Sequence, residues 1–385
     1  MVPFAGYSMP LQYPDLGIGD SHRWTREKAS IFDVGHMVQH RIGGPGATGL
    51  LKRVTPASVG ALGNHKSQLT CFLHQFHGGI VDDAMLTRLG PEMFYLVTNA
   101  ACRDKDIKYL GREKDAWLQD NPEATVDWEL MDGWGLVAVQ GPLSAEILDR
   151  VLDKSEVLDL KQLHFGDSRY THFQLANGEK SGRIMVSRSG YTGEDGFEVS
   201  VPPGGVEAIT EALLHSGTPD RIRLAGLAAR DSLRLEAGMC LYGHDLDDST
   251  TPVEADLAFI IKKDRRIEGG FHGDQVIMKQ LAFKNKEKKL RNTDRKRVGL
   301  IVEGPPAREG AEIFDSRGGR IGKVTSGCPS PTLGKNIAMG YIENRESSPV
   351  TGDEVSVKVR GVARKAVITK MPFVAVKYWK GTAPA

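Results

Sequence analysis

A change of pattern near residue 297 constrains the fold of this chain more than any other feature. Beyond it, the segments VGLIVEG, AEIFDSRGGRIGKVTSG, IAMGYI, DEVSVKVRG and ARKAVITKMPF alternate apolar and polar residues and are joined by Gly-rich turns. A period of two sends successive side chains to opposite faces of a strand. Roughly ninety residues therefore form an all-β unit, a barrel or a sandwich. Just before it, 284–297 (KNKEKKLRNTDRKR) holds eight Lys or Arg in fourteen residues and reads as a solvated basic linker. Ahead of that, helical and strand patterns mix, as in an α+β architecture. The expected organisation is 1–283, an α+β region; 284–297, a linker; and 298–385, a C-terminal β domain. No repeat with a period of roughly 20–50 residues suggests a solenoid.

Composition excludes several classes of function. Hydrophobic residues make up 40% and charged residues 26%, as in a soluble globular protein with ample core. A formal net charge of +1 gives no field that would favour nucleic acid or an acidic membrane, so neither is an expected partner. No apolar run reaches the ~18 residues of a transmembrane helix. Cys71, Cys102, Cys240 and Cys328 are scattered without a CxxC, which suits reduced thiols. The opening MVPFAGYSMPLQYPDLG has neither a signal peptide's basic and apolar regions nor the amphipathic Arg/Ser pattern of a transit peptide.

Four places could carry chemistry. The segment 224–254 opens with helical composition and reaches Gly238, where a helix should stop. At ~100° per residue Leu224, Leu227, Ala228, Leu235 and Met239 share one stripe, with Asp231 inside it and Arg230 and Arg234 beside it. Such charges are either structural ion pairs or aimed at a ligand in a cleft. In His77–Leu86 a Gly-Gly turn feeds a strand. Alternation puts Val81, Asp83 and Met85 on one face, and Ile80, Asp82, Ala84 and Leu86 on the other. Aspartate is depleted in strands, so at least one of the pair is a functional candidate. In Ser189–Val201 a Gly-rich turn leads to a strand whose apolar face is Phe197, Val199 and Val201. Glu198 lies opposite, facing water or accepting two N–H groups of a heterocycle. His36 and His40 are four apart, but no third ligand is near and zinc is not expected. Nucleophile-elbow, Walker A and strand-GxGxxG-helix patterns are missing.

Taken together, the segments resemble the aminomethyltransferase, or T-protein, family of the glycine cleavage system. The resemblance rests on AGYSMPLQY (5–13), FDVGHM (32–37), GGIVDD (78–83), YLVTNA (95–100), VQGP (139–142), SGYTGEDGFEVSVP (189–202), LAGLAARDSLRLEAGMCLYGHDLD (224–247), TTPVE (250–254), VTSGCPSPTLGKNIAMGY (324–341) and MPFV (371–374). It implies a three-domain cloverleaf around a central folate channel, with two interleaved α+β domains in 1–283 and the β-barrel at the end. It implies an enzyme that moves the methylene of an aminomethyl group from the lipoyl arm of H-protein to tetrahydrofolate. Ammonia leaves and 5,10-methylenetetrahydrofolate forms. Tetrahydrofolate is the implied co-substrate, without a metal. The implied partners are lipoylated H-protein and, transiently, the other glycine cleavage components. The mitochondrial matrix is the implied compartment.

Residue by residue, Asp83 matches the family's catalytic carboxylate, on a face shared with Val81 and Met85 that would line the channel. Glu198 matches the pterin-recognising acid and Arg230 the folate-contacting arginine. Tyr242, Met37 and Val97 match pocket-lining positions, and Tyr378 a C-terminal tyrosine that reaches the ligand. The chain departs from the family in two places. Members carry a further segment before AG-[WY]-S, and a leader would lie with it. HQFHGG also replaces a more usual polar or acidic run, while leaving Asp82-Asp83 intact. The flavin-fused dehydrogenases that share this fold carry a dinucleotide fingerprint absent here. The related iron–sulfur assembly factors carry KGC-[YF]-x-GQE where this chain has SGYTGEDGFE. A folate-binding relative without catalysis is the alternative, and it would be expected to lack the Asp83 carboxylate. Because such carrier proteins are acidic, Lys288, Lys289 and Arg291 of the basic run are candidates for H-protein docking.

Overall fold

The structure, a computed structural model, describes residues 1–156, 158–287 and 290–381. Two sheets build the first two thirds. A five-stranded antiparallel sheet runs Ser67–Leu73, Ile80–Gly90, Met93–Thr98, Val38–Gly43, Asp127–Leu130. Its outer face buries Ile42, Phe72, Leu86, Phe94 and Leu96 against helices Ala47–Val54 and Arg103–Asp120. A six-stranded sheet runs Ser168–Thr171, Ile184–Ser187, Gly196–Val201, Gly135–Gln140, Ala29–Asp33, Ile222–Leu224, and only the last pair is parallel. Phe197, Val199 and Val201 form its apolar face against helices Ser144–Val151 and Val206–Gly217. The chain alternates between the sheets: Ala29–Asp33 belongs to the second, Val38–Gly43 to the first, and Gly135–Gln140 to the second again. This is the mixed α+β region expected ahead of the barrel.

The C-terminal strands Arg295–Val302, Lys335–Glu343, Arg320–Ser330, Glu312–Phe314, Glu354–Val359 and Val362–Thr369 close into a barrel. Leu300, Ile313, Val324, Val357 and Ala366 fill its interior. The period-two pattern predicts these inward positions, because a barrel strand fills its lumen with every second side chain.

The segment 284–297 is not a free linker. It includes most of a short hairpin, Phe283–Asn285 with Leu290–Arg291, and the start of the first barrel strand at Arg295. Its arginines make internal contacts. The Arg291 guanidinium lies 4.1 Å from the Phe283 ring centroid. Arg295 donates to Ser249 O and Thr250 Oγ1, each at 3.0 Å. Arg297 donates to Gly238 O at 3.0 Å and to Cys240 Sγ at 2.7 Å. A count of charges cannot distinguish a solvated run from one that stitches two layers together. Lys288 and Lys289 lie outside the described residues.

Helix Leu227–Glu236 sits where the sheets meet the barrel. It packs on helix Ile18–Glu27 and on strands Arg320–Ser330 and Lys335–Glu343. Gly238 stops it at φ +68°, a left-handed turn that favours glycine; a Cβ there would also come 3.0 Å from Met371. The buried side is not the stripe predicted from hydropathy. Ala229, Ser232, Leu233, Arg234 and Glu236 are buried; of the predicted stripe Leu235 is buried as expected, whereas Leu224, Leu227, Ala228 and Met239 are only partly covered. The helix has neighbours on several sides, so polar residues that find partners are buried in place of part of the leucine stripe. Among the described residues no helix is long and apolar enough to cross a membrane.

Glu236 shows what its burial requires. Its carboxylate accepts from Ser330 Oγ at 2.5 Å, from Thr332 N and Oγ1 at 3.1 and 2.8 Å, and from Arg26 Nη2 at 2.8 Å, and it meets His22 Nε2 at 3.1 Å. Burial pushes its acidity down, but the hydrogen bonds from His22, Ser330 and Thr332 outweigh burial and hold the group at about 2. A depressed acid stabilises the fold above its unfolded value of 4.5, and that stabilisation is lost as pH falls from there through about 2. Across that window we expect the wild type to lose about 3 kcal/mol through this group. Acid titration of unfolding free energy should show Glu236→Gln without that component; an unchanged slope would contradict it.

Candidate active site

Strand Ile80–Gly90 enters from the tight turn at Gly79. A Cβ on Gly79 would lie 1.9 Å from Asp248 O, so only glycine lets the two chains pass this closely. The strand carries a bulge: its register against Ser67–Leu73 shifts between Phe72 and Leu73, which pair with Asp82 and Ile80. Val81 is the extra residue and turns into the outer core with Phe72 and Leu86. The expectation that Val81 shares the Asp83 face is therefore corrected, because strict alternation fails at a bulge. Past it the alternation holds. Asp82 is fully buried, while Asp83 and Met85 remain partly open on the inner face.

Asn99, at the end of strand Met93–Thr98, bridges the two acids. Its backbone N–H donates to Asp82 Oδ2 and its Nδ2 to Asp82 Oδ1, both at 2.9 Å. Nδ2 also donates to Asp83 Oδ1 at 2.9 Å. Burial and the Asp82 charge push Asp83 up to about 7, against the pull of the Asn99 bond. A carboxyl with that value exchanges protons readily near neutral pH.

The same inner face opens on a pocket lined by Met85, Val97, Leu136, Tyr95, Ser189 and Glu198. Met85 pairs across the strands with Val97. Met37 joins this wall by packing with Val97 against Phe32, Leu136 and Leu233. Glu198, on the central strand Gly196–Val201, accepts from Ser189 Oγ at 2.6 Å. Arg230, at the start of the central helix, has its guanidinium carbon 4.9 Å from the Tyr191 ring centroid. Its Nη1 is buried without a partner among the described residues. Burial lowers the Arg230 value, and the charge of Glu198 works in the opposite direction.

Tyr242 is tied to the first residue of strand Ile80–Gly90. Its hydroxyl donates to Ile80 O at 2.9 Å and accepts from Lys105 Nζ at 2.6 Å. Tyr378 is placed further off, on the C-terminal segment. Its ring stacks on Phe165 at 4.0 Å, and its hydroxyl is buried without a partner among the described residues. Burial and Glu194 raise that hydroxyl to about 12 although Arg26 pulls it down. Val97 and Glu198 thus line this pocket, Met37 packs against its wall, Arg230 lies near Glu198 and Asp83 shares a strand face with Met85, while Tyr242 and Tyr378 are not among its lining residues.

His36 lies in a turn and His40 on strand Val38–Gly43, so their spacing is not helical. Among the described residues no group of three His, Cys, Asp or Glu is placed to hold a metal. The sequence reading did not single out Asn99, Tyr191 or Ser189. The signal available for Asn99 was its place at a strand end beside a pair of strand acids.

A pocket that combines apolar side chains with a carboxylate, near a buried arginine lacking a partner and an acid tuned to neutrality, has the make-up of a small-molecule site in an enzyme. Comparison with known proteins makes the assignment specific. Residues 1–265 match the GCVT N-terminal domain and 295–375 the glycine cleavage T-protein C-terminal barrel domain. The chain is 44% identical over 380 residues to a probable mitochondrial aminomethyltransferase of Schizosaccharomyces pombe, covering 99% of this chain and 90% of that one. It is 43% identical to the mitochondrial aminomethyltransferase of Pisum sativum, covering 99% and 87%. A crystal structure of the glycine cleavage system aminomethyltransferase T from Bartonella henselae superposes with a TM-score of 0.83 at 35% identity, covering 98% of this chain and 95% of that one. The chain belongs to the T-protein family of the glycine cleavage system, and it is an aminomethyltransferase.

Proposed function

We propose that the co-substrate is tetrahydrofolate and that the aminomethyl donor is the lipoyl arm of H-protein. The other glycine cleavage components are transient partners. The products are ammonia, 5,10-methylenetetrahydrofolate and dihydrolipoyl H-protein. The observation that carries this reading is Asp83, held near neutrality by Asp82 and burial, on the inner face that also bears Met85 and Val97. The S. pombe and pea relatives are named mitochondrial, which supports the mitochondrial matrix as the compartment.

The residues present fit a reduced pterin. The partly open Glu198 carboxylate can accept two parallel N–H groups, with Ser189 fixing its orientation. Arg230 Nη1 is a buried donor still lacking an acceptor, which a polar edge of the ligand would satisfy. Met85, Val97 and Leu136 offer apolar area to a flat ring. When bound, the folate supplies the nitrogen nucleophile that takes the one-carbon unit. Asp83 accepts a proton at its carboxylate as that transfer proceeds and, at about 7, can return it to departing ammonia. By the family resemblance Tyr242 would line the folate channel and Tyr378 would reach the ligand from the C-terminal segment. Much of the acceleration comes from holding tethered donor and bound acceptor in one cavity.

The direct test is ammonia release from aminomethylated H-protein with and without tetrahydrofolate. Strong folate dependence is expected; folate-independent release from folded protein would sink the reading. Glu198→Ala should weaken folate binding by about tenfold or more, through loss of a charge-assisted pair. Calorimetric titration would show this, and an unchanged affinity would remove Glu198 from pterin recognition.

A further inference from the structure

One buried acid behind Asn99 has no part in this chemistry. Asp106, on helix Arg103–Asp120, is 0% exposed. Among the described residues neither of its oxygens has a donor in good hydrogen-bond geometry, and the Thr98 hydroxyl beside it offsets only part of the cost of its burial. The group it faces is another carboxyl, that of Asp82. If both were ionised, two negative charges would meet in a dry interior with one of them unsolvated, which is prohibitively costly. If one carries a proton, the same contact becomes an acid–carboxylate hydrogen bond. Asp82 is the ionised member, because both of its oxygens already accept from Asn99. The proton therefore belongs to Asp106.

We infer that Asp106 is a positioning residue, a neutral carboxylic acid that donates to Asp82 and so keeps the Asn99 amide turned to offer Nδ2 to Asp83. The inference rests on the proposed role of Asp83. It explains why Asn99 is not free to flip: Asp82, fixed from behind by Asp106, takes its backbone N–H and one side-chain hydrogen, which leaves the other hydrogen for Asp83. Burial and the Asp82 charge push Asp106 up to about 10, so the acid stays neutral across the working range. Other groups that face this cluster do not supply the proton. His40 contacts Thr98, beside Asp106, through Nε2 at 3.1 Å; burial and Arg103 lower it to about 4, so it is neutral. Burial raises the thiols of Cys71, Cys102 and Cys240 and the hydroxyls of Tyr191 and Tyr242. Lys105 acts on the cluster only as a nearby positive charge.

The experiment compares Asp106→Leu, which keeps volume but cannot donate, with Asp106→Asn, which keeps a neutral donor. In Asp106→Leu kcat should fall roughly tenfold with the folate KM little changed, since a reacting group is loosened rather than a binding group lost. The acid limb of its pH–rate profile should move upward, because Asp83 loses the bond that holds its value down. Asp106→Asn should rescue most of the rate and the position of the limb. Infrared spectra of the wild type taken between the Asp83 and Asp106 values, near pH ~8.5, should contain a protonated-carboxyl band that Asp106→Asn lacks; this reading does not require the leucine variant to fold. A wild-type limb in folded Asp106→Leu, an Asp106→Asn variant as impaired as the leucine one, or absence of the band would each overturn the inference. Asp83→Asn measured alongside separates the two ideas. If it keeps turnover, the Asp83 reading fails and this one with it. If turnover is lost while Asp106→Leu keeps the wild-type limb, only the Asp106 inference fails.

Discussion

Asp83→Asn is expected to cut turnover at least ~10²-fold while leaving tetrahydrofolate affinity within about threefold of wild type. Asparagine has the same shape, and its side-chain oxygen can still accept from Asn99 Nδ2, as Asp83 Oδ1 does at 2.9 Å. What is lost is the ability to take up a proton near neutral pH. The proposed binding groups, Glu198 and Arg230, are untouched. In the wild type the acid limb of kcat/KM should fall near 7, where Asp83 changes charge, and the residual activity of the variant should lack it. Stability should respond in the opposite sense to catalysis. Between 3.8 and about 7 the unfolded chain has released a proton that native Asp83 still holds, so wild-type stability declines as pH rises through that window. Asp83→Asn carries no such penalty and should resist urea better than wild type at pH above 7, with little difference at acid pH. Near-normal ammonia release by the variant would remove Asp83 from the mechanism, and an undiminished acid limb would assign that ionisation elsewhere.

The barrel and the site strands were legible in the sequence for the same reason. Inward positions such as Leu300 and Val357, or Phe197 and Val199, follow period-two patterns that survive in isolation. That Asp82 and Asp83 point to opposite faces follows from the same period, whereas the choice of Asp83 as the one toward the pocket came from the matched segment. What alternation could not show was the bulge that turns Val81 away, because a bulge depends on the partner strand's register. Nor could composition show that Arg295 and Arg297 anchor the barrel to the rest of the chain, since their acceptors include backbone carbonyls of 238 and 249. The central helix was misread on the side it buries, because its neighbours come from three distant parts of the sequence. The matched segments supplied Glu198 and Arg230 as ligand groups. Spacing alone had left both open, and the free Nη1 of Arg230 is visible only once the surrounding groups are in place.

Arg234 and Asp245 show why the charges on that helix resist a pattern-based reading, and they yield the largest expected effect on stability. Asp245 is fully buried, with its carboxylate accepting from Arg234 Nη1 at 2.6 Å and Leu241 N at 3.0 Å. Thr325 Oγ1 at 2.6 Å and Ser326 Oγ at 2.9 Å donate to it from the barrel. Those two hydroxyls lie where strand Arg320–Ser330 shifts register between Val324 and Ser326, so the bulge turns adjacent residues toward one acceptor. Arg234 is further held by Met239 O at 3.0 Å and Asp231 Oδ1 at 2.9 Å. Asp245→Ala removes one charge of a buried pair and leaves an arginine with 3% side-chain exposure lacking its main counter-charge. It also strips two barrel hydroxyls and a backbone N–H of their acceptor. Breaking such a pair costs about 3–5 kcal/mol, so urea unfolding should begin at markedly lower denaturant. The barrel's attachment should weaken early, because this cluster is, with the Glu236 carboxylate on Ser330, one of the polar contacts between it and the central helix. Asp245→Leu with Arg234→Met should recover part of the loss, since replacing both charges leaves no buried ion unpaired. Asp245→Ala within ~1 kcal/mol of wild type, or a double variant no more stable than Asp245→Ala, would show that the cluster contributes little to holding the barrel in place.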